Sequence, residues 1–548
     1  MKDKVWDIVN KSKKEVVEIL LENRGIKTKS QKQEFFNPAQ PNKISLKDIS
    51  FDPKQISKAA KRIEQAKKNK EKVIIFGDYD ADGICATAIL WEALFSQKVN
   101  VLPFIPDRFT DGYGLKPASL QRMLVLHPDT RLIITVDNGI VAHSAVEFAN
   151  KNNLDVIITD HHTPLKKNPK ALAVIHTLKT SGSAVTWFFA RELGCKVENS
   201  LELAAIGTIA DQLPLVGINR SVVKHGLDAL RNTSRIGILS LLAKAGIERE
   251  KIGVYEVGFL IAPRINAMGR LADATDSLRL LCTKSVSKAS LIASTMDKTN
   301  QKRQQIVEDV IFHARRGVFE TDTKGVMLLI HESYHEGIIG LAASKLVEEF
   351  GRPAIVISKG EIFSKASARS VVGINITQIL RSLDFLLKEV GGHEMAAGFT
   401  IESANLADFA LKLEQLTAPL VTNEILNKKL KIDCELSFDA LTWELAEKLV
   451  EFEPTGTGNP SPLFVAFGVS VLSAQTVGKT SKHLKLKLKQ KEKTFDAIAF
   501  GMGESAKELS AKQIDIAYGL EINQWNGSKS LQLKIKGIKP PSVILEGA

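Results

Sequence analysis

Short apolar runs that lead into acidic residues are the feature that most limits how this chain can fold. Val73–Phe76, Leu132–Val136 and Val156–Thr159 are almost wholly apolar, and stretches with a helical pattern separate them. Strands of this kind occur in parallel sheets that are covered by helices on both faces. Ligands bind at the carboxyl edge of such sheets, which is where the acids fall. The sequence therefore predicts an α/β domain with a site at that edge.

The rest of the chain divides into regions of different pattern. The N-terminal region is rich in lysine, a long helical pattern without proline follows the first α/β unit, and the C-terminal region is strand-rich with the spacing of a small barrel. The expected divisions are an N-terminal arm at 1–70, a catalytic α/β domain at 71–284, a connector helix at 285–320, a second smaller α/β domain at 321–420, and a linker with a C-terminal barrel at 421–548.

Composition favours a polyanionic partner without proving one. The 548 residues carry a formal net charge of +12 and a pI of about 9.2, which fits nucleic acid but also fits an ordinary solubility surface. The four cysteines have no paired spacing, which argues against a thiolate zinc site and a disulfide framework. No apolar run reaches the length of a membrane span. We therefore expect a cytoplasmic protein without a membrane anchor.

The strongest local motif follows the first apolar run. Asp78, Asp80 and Asp82 place three carboxylates within five residues, and these repel one another unless cations lie among them. Hard oxygen ligands suit Mg²⁺ or Mn²⁺, and added imidazole shifts the preference toward Mn²⁺. A calcium-type loop or a solvated turn would also explain this motif if it stood alone.

Further acids and two histidines follow the other predicted strands and one helix. Asp137 comes after the second run, Asp160-His161-His162 after the third, and Asp211 after a helical stretch. Each would be unremarkable alone. Together they supply the several acids, the bridging carboxylate and the histidines that a two-metal cluster requires.

The order of these motifs resembles the DHH superfamily of phosphoesterases, whose namesake triplet is Asp160-His161-His162. The resemblance implies two bound Mn²⁺ or Mg²⁺ ions, with Asp137 bridging them. It also implies that His162 contacts the scissile phosphate and, with Asp160, forms the catalytic pair. The implied metal ligands are Asp80, Asp82, Asp137, His161 and Asp211.

One position departs from the superfamily pattern. Many members carry a histidine four residues before Asp80, where this chain has Phe76. Asp78 is the expected substitute ligand, and the alternative is a weakly bound metal that arrives with substrate. Restoring the imidazole with Phe76→His is accordingly predicted to tighten one metal site.

Basic, glycine-rich and small-residue segments resemble the RecJ exonuclease family within this superfamily. Arg264, Asn266 and Arg270 lie in a segment that is similar to one characteristic of that family, and arginines can clamp phosphates in a bidentate manner. The alternative for Arg264 and Arg270 is a structural pair. In the second α/β unit the resemblance implies a DHHA1-like domain that holds nucleic-acid phosphates. The implied substrate-binding residues there and near the 5′ end are Arg108, His335, Ser367, Arg369, Gly391, Gly392 and His393.

Alternating lysines mark the C-terminal region. Lys485, Lys487 and Lys489 share one face of a predicted strand, while leucines occupy the other. The segment at 453–460 resembles the RecJ lead into an OB-fold, so Lys485 and Lys487 are expected to bind single strands. A solvated edge strand would also use lysine.

The resemblance implies a single-stranded-DNA exonuclease that works from the 5′ end, releases 5′-mononucleotides and serves DNA repair and recombination. Single-strand-binding protein and a helicase are the protein partners it implies. Two rivals stay open at this stage. One is a phosphodiesterase for short oligonucleotides or cyclic dinucleotides, and the other is a DNA-binding scaffold with an inactive site.

Overall fold

The computed structural model describes residues 5–112, 114–316, 324–426, 429–478, 481–509, 512–525 and 527–541. The expected junction between residues 320 and 321 lies outside these ranges. The strands, in chain order, are β1 (Val5–Ile8), β2 (Lys72–Phe76), β3 (Val101–Phe104), β4 (Thr130–Val136), β5 (Asp155–Asp160), β6 (Ala173–His176), β7 (Met327–His331), β8 (Ala354–Ser358), β9 (Phe363–Arg369), β10 (Leu387–His393), β11 (Ala396–Glu402), β12 (Lys429–Ile432), β13 (Cys434–Glu435), β14 (Phe464–Val477), β15 (His483–Gln490), β16 (Lys493–Ala499), β17 (Gln513–Trp525) and β18 (Ser528–Lys539).

Helices separate most of these strands. The α-helices, in chain order, are α1 (Val16–Asn23), α2 (Lys29–Phe36), α3 (Leu46–Ile49), α4 (Pro53–Lys68), α5 (Ala81–Ser96), α6 (Pro117–Leu126), α7 (His143–Lys151), α8 (Gly182–Glu192), α9 (Leu201–Ala210), α10 (Gly217–Arg231), α11 (Ile236–Ala245), α12 (Ala262–Leu271), α13 (Thr275–Cys282), α14 (Val286–Arg315), α15 (Ile339–Phe350), α16 (Ile376–Arg381), α17 (Leu406–Thr417), α18 (Asn423–Leu426), α19 (Trp443–Val450) and α20 (Ala506–Leu509). A π-helix at Glu256–Ile261 runs directly into α12.

The first domain is built on a parallel sheet with the strand order β3-β2-β4-β5-β6. Successive residues of β2 serve opposite faces. Val73 and Ile75 join the core formed with α5, α8 and α9, whereas Ile74 and Phe76 join the core formed with α6 and α7. Because both faces are covered, the strands are apolar throughout. The predicted parallel sheet is confirmed.

The helix α14 links the two α/β domains. Its 30 residues extend about 45 Å at the usual helical rise, and it packs on α11 and α12 at one end and on α15 at the other. The second sheet has the order β10-β11-β9-β8-β7, in which only β7 and β8 run parallel. The expected connector helix and second α/β domain are both present.

A closed barrel forms the C-terminal part of the chain. Strands β14, β15, β16, β18 and β17 pair in that order, and β14 also pairs with β17, which closes the ring. The N-terminal segment packs on this barrel, since Leu20 and Leu21 of α1 lie in the barrel core and β1 pairs with β12. The expected OB-like barrel is confirmed.

One buried arginine joins the first domain to the barrel. Arg220 of α10 is 1% exposed, and its guanidinium lies 3.9 Å from the centre of the Phe35 ring. It donates hydrogen bonds to five backbone carbonyls, one in the N-terminal segment and four in the segment before β14. The acceptors are the carbonyl oxygens of Phe35, Glu451, Phe452, Glu453 and Pro454.

Candidate metal centre and substrate surface

The acidic loop between β2 and α5 lies at the carboxyl edge of the first sheet, as the sequence predicts. Asp80 caps α5, because its Oδ1 accepts a hydrogen bond from Gly83 N at 3.0 Å. Asp78 and Asp82 are each 2% exposed. A Cβ at Gly83 would lie 2.5 Å from Asp78 Cβ, so glycine at this position lets the loop close tightly over the helix start.

The N-terminus of α8 holds Asp82 in place. Gly182 N donates to Asp82 Oδ2 at 2.7 Å and Ser183 N donates to Asp82 Oδ1 at 3.0 Å. Backbone amides at a helix start are suited to a carboxylate. Sequence reasoning missed this support, although Ser181-Gly182-Ser183 directly before an apolar helical run is an available signal for a capped helix start.

Asp137 occupies the centre of the cluster. Its backbone has a φ of 62°, a conformation that a non-glycine residue adopts at a cost and that often marks functional sites. Its Oδ1 is buried and makes no hydrogen bond to any described residue, although His161 Nε2 lies 3.1 Å away. A Cβ at Gly182 would lie 2.2 Å from that oxygen, so only glycine admits the Asp137 carboxylate here.

Asp160 and the two histidines extend from β5. Asp160 Oδ1 accepts hydrogen bonds from His161 N, His162 N and His162 Nδ1, and its Oδ2 accepts one from Ile140 N. Because four donors surround its carboxylate, Asp160 serves to orient His162 and not to bind a metal ion. His161 Nε2 faces the acids, at 3.6 Å from Asp211 Oδ2 and 3.9 Å from Asp82 Oδ2.

Asp211 comes at the C-terminal end of α9, where the helix dipole disfavours a negative charge. A nearby cation would offset that cost. The described residues include three groups that could each hold a metal ion, because the ligand atoms within each group lie within 4.8 Å of one another. Asp137 belongs to two of these groups, and so does His161. The groups are Asp78, Asp80 and Asp137; Asp82, His161 and Asp211; and Asp137, His161 and His162.

The electrostatics of the cluster also suit metal ions. Burial and the neighbouring carboxylates raise the pKa of Asp78 to about 8 and that of Asp211 to about 8, and they raise the pKa of Asp137 well above its usual range. Burial lowers the pKa of His161, which favours the neutral imidazole that binds metals. The residues therefore fit divalent cations, which would offset the mutual repulsion of the acids.

Phe76 does not belong to this cluster. Its side chain is fully buried in the core that β2 forms with α6 and α7, where its ring stacks on Phe104 at a centroid distance of 5.3 Å. A histidine at position 76 would therefore enter an apolar core instead of a metal site. The expectation that Phe76→His tightens metal binding is at odds with this placement, and Asp78 already lies beside Asp80 and Asp137.

Basic residues of α12 and the preceding loops border the metal cluster. Asn266 Oδ1 accepts a hydrogen bond from Ala81 N, inside the acidic loop, at 2.7 Å. Arg108 stacks over the Tyr79 ring at 4.1 Å and donates to Gly269 O. Burial and repulsion from Arg108 and Arg303 lower the pKa of Arg270 to about 10. Such a group of like charges is a natural site for an anion.

Arg264 is engaged elsewhere. Its guanidinium pairs with Asp297 of α14, with Nη2 at 2.8 Å from Oδ1, and Nη1 donates to Leu260 O. This arginine joins α12 to the connector helix, so the structure favours the structural alternative over a phosphate clamp. Arg270 differs, since it reaches the second domain through a hydrogen bond from Nη1 to Gly337 O.

The register of the second sheet brings four of the predicted residues of that domain onto one face. Ser367 lies opposite Gly398, which lies opposite Gly391, and Arg369 and His393 both lie opposite Ala396. Directly paired residues project to the same side of a sheet. The N-terminus of α15 covers part of this face, because a Cβ at Gly340 would lie 3.1 Å from Ser367 Oγ and 3.2 Å from Arg369 Nη2.

The other predicted residues of this domain, Gly392 and His335, lie outside that face, since Gly392 pairs with Ala397 on the opposite side of the sheet. Gly392 has a φ of 147°, and a Cβ there would lie 2.3 Å from Ala396 O. Gly392 and His393 line a shallow cavity of about 320 Å³. His335 lies toward the first domain, where its ring packs edge-on against Phe109 at 5.8 Å.

The lysine strand is an internal strand of the barrel. Lys485 and Lys487 of β15 are exposed while the leucines between them are buried, and β15 pairs with β14 and β16. The alternative of a solvated edge strand is therefore excluded. The lysines are far from the acids in the sequence and form part of a separate surface on the barrel.

Family models match all three domains of this fold. The DHH family N-terminal domain matches residues 72–209, the DHHA1 domain matches 322–418 and the RecJ OB domain matches 432–537. The single-stranded-DNA-specific exonuclease RecJ of Thermus thermophilus is 33% identical over 90% of this chain and 72% of its own length. The protein of the same name from Escherichia coli K12 is 31% identical over 88% of this chain and 90% of its own length. The chain belongs to the RecJ family.

Other RecJ proteins extend the comparison. The RecJ of Bacillus subtilis is 33% identical over 89% of this chain, which spans 63% of that relative. The crystal structure of RecJ from Thermus thermophilus in complex with Mn²⁺ superposes with a TM-score of 0.83 at 29% identity, covering 99% of this chain and 80% of that one. The corresponding Mg²⁺ complex gives a TM-score of 0.75 at 27% identity, covering 99% of this chain and 79% of that one.

Proposed function

We propose that this chain is a single-stranded-DNA-specific exonuclease that hydrolyses phosphodiester bonds at a two-metal centre. The observation that carries the proposal is the cluster at the carboxyl edge of the first sheet. There Asp137 has a buried oxygen that accepts no hydrogen bond, and it lies close both to Asp78 and Asp80 and to the two histidines. Relatives named as single-stranded-DNA-specific exonucleases support this activity. Crystal structures of RecJ with bound Mn²⁺ or Mg²⁺ support these kinds of metal ion.

The proposed ligands are Asp78, Asp80, Asp82, Asp137, His161 and Asp211, with Asp137 shared between the two ions. When bound, the two cations supply an activated hydroxide and neutralise charge at the phosphate. Asp160 orients His162 by accepting from its Nδ1, so contact with the scissile phosphate uses Nε2. Burial lowers the pKa of His162, but the hydrogen bond to Asp160 outweighs this and raises the pKa to about 9. A protonated ring suits the anionic transition state.

The proposed substrate path runs over three domains. Arg108, Asn266 and Arg270 border the metals, and the face with Ser367, Arg369, Gly391 and His393 receives the terminal phosphate under the N-terminus of α15. Gly392 lets β10 approach β11 closely beside this face. Lys485 and Lys487 hold the strand on the barrel. The proposed polarity is 5′ to 3′, with release of 5′-mononucleotides, and this part rests on the family resemblance.

The proposed setting is DNA repair and recombination in the cytoplasm, with single-strand-binding protein and a helicase as partners. Among the residues that the structure describes, no helix combines the length and the apolar character needed to cross a membrane.

The test uses one single-stranded oligonucleotide labelled at either end, a duplex control, and Mn²⁺ or Mg²⁺. The 5′ label should appear at once as a mononucleotide, the 3′ label should remain on progressively shorter strands, and the duplex should resist. The opposite label order would overturn the polarity. Cleavage restricted to dinucleotides would favour the short-oligonucleotide rival, and binding without any cleavage would favour the inactive scaffold.

A further inference from the structure

Two exposed aromatic residues stand out on the first domain. Tyr255 and Phe259 are 61% and 67% exposed, and their rings stack on each other at a centroid distance of 5.0 Å with planes 26° apart. The other tyrosines whose placement is described, Tyr79, Tyr334 and Tyr518, are buried. Large exposed aromatic side chains in a group mark binding surfaces more often than isolated ones do.

The backbone beneath this pair is unusual. Tyr255 caps the π-helix Glu256–Ile261, which includes Phe259 and continues without a break into α12. Single turns of π-helix are rare, and they occur frequently at functional sites. Here the insertion sets the two rings at the solvent-facing start of the helix that carries Asn266 and Arg270.

Three contacts locate the aromatic pair between the barrel and the metal centre. Next to Tyr255, Val254 Cγ1 lies 3.7 Å from the position of a Cβ on Gly456, in the segment that leads into the barrel. A Cβ on Gly258 would lie 3.6 Å from Ile209, two residues before Asp211. At the other end of the same helix, Asn266 accepts the hydrogen bond from Ala81 in the acidic loop.

One continuous helical segment carries both rings, Asn266 and Arg270. Asn266 lies seven positions after Phe259, which is about 10 Å along the segment. Arg270 follows one turn later. The two rings thus lie at the end of this segment that is near the barrel, and Asn266 and Arg270 lie at the end that is near the acidic loop.

We propose that Tyr255 and Phe259 are a stacking platform for unpaired bases of the strand that passes from the barrel to the metal centre. This inference rests on the proposed function, and it names the residues that read the single-stranded state. Aromatic rings accept the face of any base, so binding is independent of sequence. Paired bases in a duplex present their edges and not their faces, so the platform also disfavours duplex.

The test measures binding of the full chain to single-stranded oligonucleotides in an Asp137→Asn background, which prevents degradation. Tyr255→Ala and Phe259→Ala should each weaken binding about tenfold, within the range that base stacking on aromatic rings contributes. Tyr255→Phe and Phe259→Tyr should retain wild-type affinity. In the chain with Asp137 intact, turnover of a dinucleotide should not change, because it is too short to reach the platform.

The matched control is Phe95→Ala. Phe95 is 60% exposed and stacks on Trp91 at 5.2 Å, but it lies at the far end of α5, about 20 Å along the helix from the acidic loop. Its loss should leave binding unchanged.

Oligonucleotides with a single abasic site at successive positions show where the platform acts. With aromatic residues present, one or two positions should be sensitive to loss of the base, and in the double alanine variant this sensitivity should vanish. Equal binding by the double variant and its parent would overturn the platform while leaving the exonuclease proposal intact, and would point to a protein ligand for the two rings. A wild-type chain that neither binds nor cleaves single strands would overturn the proposed function and the platform with it.

Discussion

At the scale of single residues, the clearest division of labour is between Asp137 and Asp160. Both carboxylates are buried beside the same histidines. Asp160 is saturated by four hydrogen-bond donors, whereas Asp137 retains an oxygen with no donor among the described residues. Hydrogen bonding therefore separates a positioning residue from a proposed metal ligand, although the sequence presents both simply as acids at strand ends.

Asp160→Asn tests this division. The asparagine cannot accept the bond from His162 Nδ1 equally well, so we expect turnover to fall about 10- to 100-fold, the usual effect of losing an outer-shell partner. Mn²⁺ stoichiometry, measured by calorimetry, should not change. Asp160→Asn combined with His162→Ala should be no slower than His162→Ala alone, and additive losses or a lost metal ion would contradict a role through His162.

The sequence located the acids of the cluster because each follows a recognisable strand or helix end. It did not locate Gly182 and Ser183, whose amides hold Asp82, because that contact depends on how α8 packs across the sheet edge. It also suggested a phosphate contact for Arg264, since nothing in the local pattern shows that Asp297, on a distant helix, would neutralise it.

At the scale of elements, the two faces of a strand decide what a substitution does. Phe76 and the acidic loop are adjacent in sequence, but Phe76 faces the core with α6 and α7. Alternation along a strand that is buried on both sides gives no polar signal that distinguishes the faces. For this reason, comparison of motifs alone suggested that a histidine at position 76 would bind a metal ion.

Phe76→His should therefore destabilise the fold by about 3 kcal/mol or more, because it replaces a buried ring with a smaller polar one. Phe76→Leu, which keeps the site apolar, should cost less. Chemical denaturation measures both, and Mn²⁺ titration should give the same stoichiometry as wild type. A stable Phe76→His protein with tighter Mn²⁺ binding would show that this strand face reaches the metals.

The lysine strand makes a prediction that depends on the barrel alone. Replacing Lys485, Lys487 and Lys489 with Gln should weaken binding to long single strands of any sequence and lower the salt dependence by about two logarithmic units, at roughly 0.7 for each lost phosphate contact. Hydrolysis of very short oligonucleotides should persist.

The matched control replaces three exposed lysines of α4, Lys58, Lys61 and Lys68, with Gln. That helix contacts the amino-terminal edge of the first sheet through the ion pair of Arg62 with Asp155, so its lysines lie away from the proposed path. If both triple variants show the same salt slope, the effect is one of net charge, and the strand is not a binding surface.

At the scale of the whole molecule, distant parts of the chain meet at Arg220. The segments that accept hydrogen bonds from Arg220 lie 185 to 234 residues away in sequence. A local sequence pattern cannot predict such a contact. Domain identity was predictable from the order of motifs. The docking of the N-terminal segment onto the barrel was not, because its leucines could equally have covered the first domain.

Arg220→Met should uncouple the barrel from the first domain. The carbonyls of Phe35, Glu451 and Glu453 would lose their side-chain donor, while those of Phe452 and Pro454 would keep the bonds from Asn459 Nδ2. A buried unsatisfied acceptor costs about 1–3 kcal/mol. We expect a stability loss of at least about 3 kcal/mol, measured by denaturation, and rapid proteolysis near residues 453–460. Arg220→Lys should also destabilise the protein, because one ammonium group cannot donate hydrogen bonds to five carbonyls. Arg279→Met, at an exposed arginine, is the control, and equal stability of the two methionine variants would contradict the joint.

The proposed activity is tested most directly by nucleotide release from single-stranded DNA with Mn²⁺, comparing wild type with Asp137→Asn. Asparagine tolerates the left-handed backbone at this position and removes the bridging charge. Wild type should release mononucleotides, and the variant should be slower by more than about 100-fold, beyond the effect of losing a mere supporting residue, with unchanged melting temperature in the absence of metal. Comparable release by a folded Asp137→Asn chain would contradict the two-metal centre.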